Sequence, residues 1–212
     1  MSVVVYDLDG TLTRSDTFVQ FLALCLRTHP WRLLRCLHLP IAYLMFKIGL
    51  KSNGWLKQVF LVAIVGGMDH HAMDRLVQRH VDQTFASNLK AAATVNLENQ
   101  VRKGMTTVLA SASPDLYVRE IGRRLNFDAV FCTQIRWEKG RCKGVLEGGN
   151  LYGQAKLDAL VTGYPDIELA YSDHHADLPL LQYAKQGVLV DPDPKTCKLV
   201  SNLNLETVEW AG

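Results

Sequence analysis

The chain has 212 residues, of which 48% are hydrophobic and 21% are charged, and its formal net charge is +2. This length and composition allow one sizeable core plus a small insertion, whereas a net charge so close to zero indicates little by itself. The cysteines are odd in number and lack CxxC spacing, which argues against a disulfide framework or a zinc knot and favours a reducing cytosol. They are Cys25, Cys36, Cys132, Cys142 and Cys197.

The first residues enter a strand pattern at once, with no signal peptide ahead of it. Residues 3–6 are β-branched or aromatic, which predicts a buried strand, and Asp7 and Asp9 follow it before Gly10. Open α/β sheets place their chemistry at the carboxyl ends of strands. Two carboxylates this close repel each other in an apolar setting, so a divalent cation or a shared proton would hold them there. The alternative is a strand that simply ends in an Asp-Gly turn.

From about residue 85 onward, helix and strand patterns alternate, which is typical of a doubly wound α/β sheet. We therefore predict a Rossmann-like catalytic core formed by residues 1–16 and 86–212. Gly104 is expected to end the first helix, and Ser113 to be the N-cap of the second. The predicted elements are a helix at about 87–103, a strand at 105–110, a helix from 113 to about 125, a short strand at 129–133, a hairpin at 135–151 and a last core strand at 187–190.

Four short motifs carry a family resemblance. An Asp-x-Asp-Gly-Thr opening at 7–11 is followed by an apolar strand ending in Ser111, a helix start that carries Lys156, and a strand ending in Asp173, with Asp177 four residues on. Their types and order are similar to the signatures of the haloacid dehalogenase superfamily of aspartate-nucleophile phosphatases. Within it, the chain most resembles the phosphoserine-phosphatase-like branch (subfamily IB), which includes phosphatidylglycerophosphatase C.

The resemblance implies a mechanism for phosphate monoester hydrolysis. Asp7 would be the nucleophile and form an aspartyl-phosphate, and Asp9 would protonate the leaving oxygen and then activate water. Mg²⁺ would be held by the Asp7 carboxylate, the backbone carbonyl of Asp9 and the Asp173 carboxylate. Ser111 would donate a hydrogen bond to a phosphoryl oxygen, and Lys156 would neutralise charge near Asp7.

The remaining candidates each have a structural alternative. Asp177 would orient Lys156 or a metal-bound water, unless it is simply a carboxylate in the first turn of a helix. Asp16 and Ser113 are candidate substrate contacts, although each could instead be a helix N-cap. The asparagine of the phosphoserine-phosphatase motif Gly-Asp-Gly-x-Asn-Asp is absent here. The two histidines at 174–175 invite a transition-metal hypothesis, but adjacent residues in a turn rarely both reach one ion.

Between the first strand and the second half of the chain lies an insertion, residues 17–85, that is predicted to be helical throughout. In the branch that the chain resembles, an insertion at this place is a cap that closes the site to water and selects substrates. From Thr17 through Met68 it contains no Asp or Glu. Ordinary solvated helices, in contrast, carry residues of both charges. Six basic residues give this segment a charge of +6: Arg27, Arg32, Arg35, Lys47, Lys51 and Lys57.

Two apolar runs, residues 39–46 and 59–65, alternate with these basic residues. Neither reaches the roughly 20 residues needed to span a bilayer, so one hypothesis is an element that lies in an anionic membrane interface. The alternative is that both runs pack internally and the basic residues form a solvated face. An anionic substrate would also explain the charge, with Lys57 as the candidate contact unless it is an ordinary solvated lysine.

The sequence therefore predicts a Mg²⁺-dependent phosphatase of a lipid phosphate such as phosphatidylglycerol phosphate. We expect it to be cytoplasmic, and peripheral on the cytoplasmic face of the inner membrane if the insertion binds lipid. A soluble phosphatase of phosphoserine, histidinol phosphate or a similar metabolite is the second hypothesis. The third is a catalytically inactive membrane-binding module, which the intact set of acids, serine and lysine argues against. We expect no nucleic-acid partner and no obligate protein partner.

Overall fold

The computed structural model describes residues 2–203 and 205–210. Within these residues, seven strands form one sheet in the order β4-β3-β2-β1-β5-β6-β7. Neighbouring strands are parallel except β3 and β4, which form an antiparallel hairpin. The strands are β1 Val3–Tyr6, β2 Thr106–Pro114, β3 Ala129–Glu138, β4 Arg141–Glu147, β5 Ile167–Ser172, β6 Gln186–Val190 and β7 Glu206–Val208.

Alternate residues of β1 point into two separate hydrophobic cores, one on each face of the sheet. Val4 and Tyr6 belong to one core, whereas Val3 and Val5 belong to the other. Because side chains alternate across a strand, this arrangement requires helices on both faces, as a doubly wound fold has. The α/β architecture predicted from the sequence is confirmed.

Helices connect most of the strands and make up most of the region between β1 and β2. They are α1 Thr17–Thr28, α2 Leu39–Lys47, α3 Asn53–Ile64, α4 His70–Gln83, α5 Ala91–Arg102, α6 Asp115–Arg124, α7 Gln154–Gly163, α8 Leu178–Tyr183 and α9 Pro194–Val200, with a 3-10 helix at Pro30–Cys36 between α1 and α2. No helix among the described residues is both long and apolar enough to cross a bilayer.

The helices α1 to α4 occupy the predicted insertion and pack on one edge of the core. Helix α3 packs against β4, and α4 packs against α6. Helices α1 and α3 also line the cleft into which the residues after β1 face. The helical region is thus placed where it can contact a bound substrate.

Several predicted bounds are wrong. Helix α5 begins at Ala91 instead of 87, because a separate helical turn at Thr84–Asn88 precedes it. Strand β2 continues to Pro114, so Ser113 lies in a strand and is not an N-cap; Pro114 precedes α6 without a side-chain cap. Strand β3 is longer than predicted because its second half pairs with β4.

Candidate active site

The residues at the carboxyl ends of β1, β2 and β5 face one cleft of about 820 Å³. This convergence follows from the sheet order, in which β1 lies between β2 and β5 and all three are parallel. The cleft is lined by all the acidic, serine and lysine candidates that the sequence analysis named: Asp7, Asp9, Asp16, Lys57, Ser111, Ser113, Lys156, Asp173 and Asp177.

Lys156 lies between two buried carboxylates. Its Nζ donates to Asp7 Oδ1 at 2.8 Å and to Asp177 Oδ2 at 2.6 Å. The Ser172 hydroxyl donates to the same Asp177 oxygen at 2.8 Å, which fixes that carboxylate. Burial opposes the ammonium charge, but the two carboxylates raise the pKa of Lys156 above its usual value overall. Lys156 is therefore a fixed positive charge beside Asp7.

Asp7 is buried directly after β1. Burial raises the pKa of its carboxyl to about 8; the Lys156 ammonium opposes this shift, and the Asp177 and Asp173 carboxylates add to it. Burial also raises the pKa of Asp173 to about 6. The ionised forms of both carboxyls are therefore disfavoured in this site, and a bound cation would stabilise them.

Asp9 is held by donors from two different elements. The backbone N–H and the hydroxyl of Thr17 each lie 2.6 Å from Asp9 Oδ1. The Ser113 hydroxyl donates to Asp9 Oδ2 at 2.6 Å. Burial raises the pKa of Asp9, and the nearby Asp16 raises it further, while these hydrogen bonds lower it. Asp9 is thus fixed jointly by the first residue of α1 and by β2.

The loop after β1 passes very close to Asp173. Gly10 has a φ of +81°, and a Cβ at this position would lie 2.1 Å from Asp173 Oδ2. Only glycine is therefore compatible with this loop conformation. Thr11 Oγ1 lies 3.5 Å from Asp173 Oδ1 on the other side of the carboxylate.

Ser111 is fully buried in β2, and its Oγ accepts a hydrogen bond from Ser113 N at 3.0 Å. Because the backbone donor occupies an acceptor site on Oγ, the hydroxyl proton is free to point at a ligand in the cleft. This geometry is compatible with the predicted phosphoryl contact.

The donor set suits Mg²⁺. Asp7 and Asp173 supply carboxylate oxygens, and the backbone carbonyl of Asp9 lies in the same loop. Magnesium prefers a few oxygen ligands and retains several waters, so two carboxylates and one carbonyl are sufficient. In the part of the chain that is described, no three His, Cys, Asp or Glu side chains form a metal cluster, so the transition-metal hypothesis gains no support from the two histidines.

Asp16 and Lys57 have defined partners at the cleft. Asp16 is the N-cap of α1, since its Oδ1 accepts from Val19 N at 3.0 Å. Lys57 Nζ donates to the Ala112 carbonyl at 2.6 Å and to Asn150 Oδ1 at 2.8 Å. Burial lowers the pKa of Lys57 to about 8. The alternative of an ordinary solvated lysine is wrong, because its ammonium is hydrogen-bonded to Ala112 of β2 and to Asn150.

Lys90 is a site residue that the sequence analysis missed. Its Nζ donates to the Gly10 carbonyl and lies 2.7 Å from Asp191 Oδ2, and Lys90 is buried. It therefore ties the loop after β1 to the residue after β6. Nothing local in the sequence marks this lysine, because both of its partners are more than 75 positions away, at separations of 80 and 101 residues.

His174 and His175 have different surroundings. His174 lines the cleft, and its Nδ1 accepts a hydrogen bond from Ala176 N at 3.0 Å. An Nδ1 that accepts leaves the proton of a neutral ring on Nε2. The His175 ring lies against the His174 ring with 4.0 Å between centroids and a tilt of 36°, and its Nδ1 lies 3.5 Å from the Thr196 hydroxyl. The two rings therefore have separate partners.

Away from the acids, the cleft wall is apolar. The residues after β1, β2 and β5 form the charged end, and side chains of α1, α2 and α3 form the rest. The apolar lining consists of Phe18, Val19, Leu22, Ala23, Leu26, Tyr43, Leu56, Phe60 and Ile64.

Solved structures share this fold, and two of them match nearly the whole of this chain. A protein with unknown function from Bordetella pertussis Tohama I superimposes with a TM-score of 0.84 at 16% identity, over 98% of this chain and 97% of that one. A probable phosphoserine phosphatase from Vibrio cholerae, in unliganded form, superimposes with a TM-score of 0.74 at 16% identity. That match covers 100% of this chain and 61% of the other. At such low identity, the similarity establishes the fold.

Sequence comparisons establish the family. Protein CicA of Caulobacter vibrioides (strain NA1000 / CB15N) is 30% identical over 191 residues, which cover 87% of this chain and 83% of that protein. The profile of the haloacid dehalogenase-like hydrolases matches residues 4–182, which include the acids after β1, the serine of β2, Lys156 and Asp173. The resemblance to phosphatidylglycerophosphatase C stays a prediction. The chain belongs to the haloacid dehalogenase-like hydrolase family.

Proposed function

We propose that this hydrolase cleaves phosphate monoesters through an aspartyl-phosphate on Asp7. The observation that carries the proposal is the buried Asp7 carboxylate at the end of β1, hydrogen-bonded to Lys156 and two positions before the separately anchored Asp9. A nucleophile beside a fixed cation, with a second acid nearby, is what stepwise phosphoryl transfer requires. The fold shared with a probable phosphoserine phosphatase agrees with this chemistry.

In the first step, an Asp7 oxygen attacks phosphorus while the bond from phosphorus to the leaving oxygen breaks. Asp9 gives its proton to that leaving oxygen, so the leaving group departs as a neutral alcohol while the phosphoryl group stays on Asp7. The raised pKa of Asp9 supports this role, because the carboxyl then retains a proton nearer to neutral pH. The hydroxyls of Thr17 and Ser113 can donate to the carboxylate or accept from the acid, so both protonation states have partners.

In the second step, a water attacks the phosphorus of the aspartyl-phosphate. Asp9, now a carboxylate, takes the water proton, and the bond between Asp7 and phosphorus breaks to release phosphate. Asp7 returns to a carboxylate and Asp9 to an acid, so the cycle closes without another reactant.

Charge on the phosphoryl group is balanced by fixed groups. Lys156 is placed by Asp177 to neutralise charge beside Asp7, and the Ser111 hydroxyl would donate to a phosphoryl oxygen. Mg²⁺ held by Asp7, Asp173 and the Asp9 carbonyl would supply further charge neutralisation when bound.

For the substrate, the proposal is a lipid phosphate or another phosphate ester with a long apolar group. The support is the cleft itself, in which a charged end continues into an apolar wall of α1, α2 and α3 side chains. A small polar ester would leave most of that wall in water, which disfavours it.

A soluble metabolite phosphatase is the second candidate. The observation that favours it is the Asp16 carboxylate at the cleft, since it could accept a hydrogen bond from a substrate amine. In phosphoserine-type substrates this amine lies close to the phosphate. One Asp16 oxygen is already engaged with Val19 N, so a single oxygen would remain for this contact.

The proposal is tested with p-nitrophenyl phosphate, a soluble ester that needs no membrane. Asp7→Asn should lower turnover by about a thousandfold or more, because a carboxamide does not attack phosphorus. Removing divalent ions with a chelator should abolish the parent activity, and Mg²⁺ should restore it. The matched control is Asp74→Asn, an exposed carboxylate on α4, which should behave like the parent. Near-normal turnover of folded Asp7→Asn would refute the mechanism.

A further inference from the structure

Five large apolar side chains form a row on the outside of the 3-10 helix and α2. They are separated by three or four residues, the spacing of one helical face, and each is more than half exposed. Leu34 and Leu37 are 74% and 77% exposed. We call this row the apolar stripe: Leu34, Leu37, Ile41, Leu44 and Ile48.

The apolar stripe is not the face by which α2 packs on the protein. That packing is made by Leu39 and Ala42, which are buried on the opposite side. A helix that is apolar on both faces is ordinarily covered on both. Monomeric proteins rarely expose contiguous apolar patches of this size unless something binds there.

The charges beside the apolar stripe indicate an anionic partner. Lys47 and Lys51 are exposed at its end, with Lys47 Nζ 5.6 Å above the Tyr43 ring and Lys51 Nζ 5.4 Å above the Trp55 ring. No acidic residue occurs from 17 to 68. Exposed cations and aromatic rings at the edge of an apolar helical face are what a helix in an anionic lipid interface presents.

The helix that carries part of the apolar stripe also reaches the cleft. Tyr43 lies on α2, the helix of Ile41 and Leu44, and it lines the cleft while being half exposed. The apolar wall of the cleft therefore reaches the surface on the same helix as the apolar stripe. A lipid phosphate could pass from a bilayer to the acids without exposing its chains to water.

From these observations we propose that the apolar stripe, with Lys47 and Lys51, docks the protein on the surface of an anionic bilayer. The delivery of substrate from that surface rests on the proposed lipid-phosphate function, whereas the docking itself does not. The sequence-based membrane hypothesis is thereby restricted to the apolar stripe, Lys47 and Lys51, because other parts of the insertion are engaged within the protein. Residues 59–65 are mostly internal, and the guanidinium groups of Arg32 and Arg35 bind backbone carbonyls.

The test is co-sedimentation of the full chain with vesicles of phosphatidylglycerol mixed with phosphatidylcholine, and with vesicles of phosphatidylcholine alone. The triple variant Leu37→Asn, Ile41→Asn, Leu44→Asn should bind the anionic vesicles at least about tenfold more weakly than the parent. The matched control is Val95→Asn, Val101→Asn, Leu199→Asn, which replaces three apolar residues elsewhere that are at least half exposed. Circular dichroism and thermal unfolding check that both triple variants are folded.

A second set of variants, with reversed charges, separates electrostatic attraction from apolar burial. Lys47→Glu with Lys51→Glu should lower binding to anionic vesicles by about tenfold or more, and Lys103→Glu with Lys195→Glu should not. Salt should weaken parent binding without abolishing it, because screening removes only the electrostatic part. Hydrolysis of p-nitrophenyl phosphate should be unchanged in all these variants, since none of the substituted residues lines the cleft.

Three outcomes would overturn the docking proposal: no binding of the parent to anionic vesicles at low salt, equal binding by the stripe variant, or a parent dimer that the stripe substitutions convert to a monomer. The last would show that a second copy of the chain covers the apolar stripe. If the parent does not hydrolyse p-nitrophenyl phosphate, the proposed function is refuted while the vesicle result still stands. Failure of the proposed function and failure of the docking proposal are therefore distinguishable.

Discussion

Asp9 has its position set from both sides of the cleft. Thr17 is the first residue of α1, and Ser113 belongs to β2, yet both donate to the same carboxylate. A side chain tied in this way loses rotational freedom before substrate binds, which lowers the cost of reaching a productive geometry. The anchoring also links the start of the helical region directly to the acid and base of the proposed mechanism.

Asp9→Asn should separate the two proposed steps when p-nitrophenyl phosphate is the substrate. Because p-nitrophenolate is a good leaving group, it departs without a proton, whereas attack by water still needs a base. We expect a burst of one equivalent of p-nitrophenolate per enzyme, followed by a steady rate about a hundredfold below the parent rate. Rapid-mixing absorbance measures both phases.

Two controls support this interpretation. Asp7→Asn should show no burst, because no aspartyl-phosphate can form. Asp74→Asn should show the parent time course. A single slow phase without a burst in folded Asp9→Asn would contradict the role given to Asp9 in the second step.

At the scale of elements, the carboxyl end of α3 is closed by side chains from the preceding 3-10 helix. Arg32 Nη1 donates to the carbonyls of Ile64 and Gly66 at 2.8 and 3.0 Å. Arg35 donates to the carbonyls of Gly66 and Val62 at 2.7 and 2.8 Å. The last carbonyls of a helix lack partners within it, and cations are favoured at this end of the helix dipole. These two arginines are therefore structural.

Arg32→Ala should destabilise the protein by about 2 to 4 kcal/mol, because two hydrogen bonds from a buried charged group to carbonyls are lost. Urea unfolding followed by circular dichroism measures the change. The matched control is Arg27→Ala, an exposed arginine in the last turn of α1, which should change stability by less than about 0.5 kcal/mol. Equal effects of the two substitutions would show that the contacts of Arg32 contribute little.

Lys90 has a comparable role between elements. Its ammonium joins the Gly10 carbonyl to the Asp191 carboxylate, so it connects the loop after β1 with the residue after β6. The loop after β1 contains Asp7 and Asp9 and passes against Asp173. A buried cation that is hydrogen-bonded to this loop helps to keep the acids in place.

At the scale of the whole molecule, the cleft combines two kinds of surface that come from different parts of the chain. The sheet contributes the acids, the serine and Lys156 at the carboxyl ends of its central strands. The helical region contributes the apolar wall. Under the proposed function, a substrate that fits both surfaces would carry a phosphate on an apolar group.

Soluble n-alkyl phosphates of increasing length test this combination. Each added methylene that reaches the apolar wall should raise kcat/KM up to about fourfold, since burying one CH₂ is worth about 0.8 kcal/mol. Leu26→Asn places an amide on that wall and should reduce the increase of kcat/KM with chain length. Leu33→Asn, outside the cleft, should leave that increase unchanged. Concentrations stay below micelle formation. A parent rate that falls with chain length would favour the soluble-metabolite candidate.

The sequence by itself determined the α/β architecture and predicted the polar residues that line the charged end of the cleft. The β-branched and aromatic residues 3–6 predict a buried strand without knowledge of the fold, because an apolar run and β propensity are local properties of the sequence. The acids at 7 and 9, Ser111, Lys156 and Asp173 each follow or begin a predicted element, and parallel strands bring their carboxyl ends together by topology alone. Local signals of this kind were sufficient for the family and for the acids, serine and lysine of the cleft, but not for its apolar wall.

Only the tertiary structure decided which groups meet across the chain. Arg32, Lys57 and Lys90 look alike in the sequence as basic residues near apolar ones, yet each is bound to carbonyls 32 to 80 positions away. The sequence also could not tell that residues 59–65 pack inside while Ile41 and Leu44 face outward. Both runs are apolar, so the sequence does not distinguish them. Whether a run is buried depends on whether its helix face packs against β4 and α1, which is a property of the assembled fold.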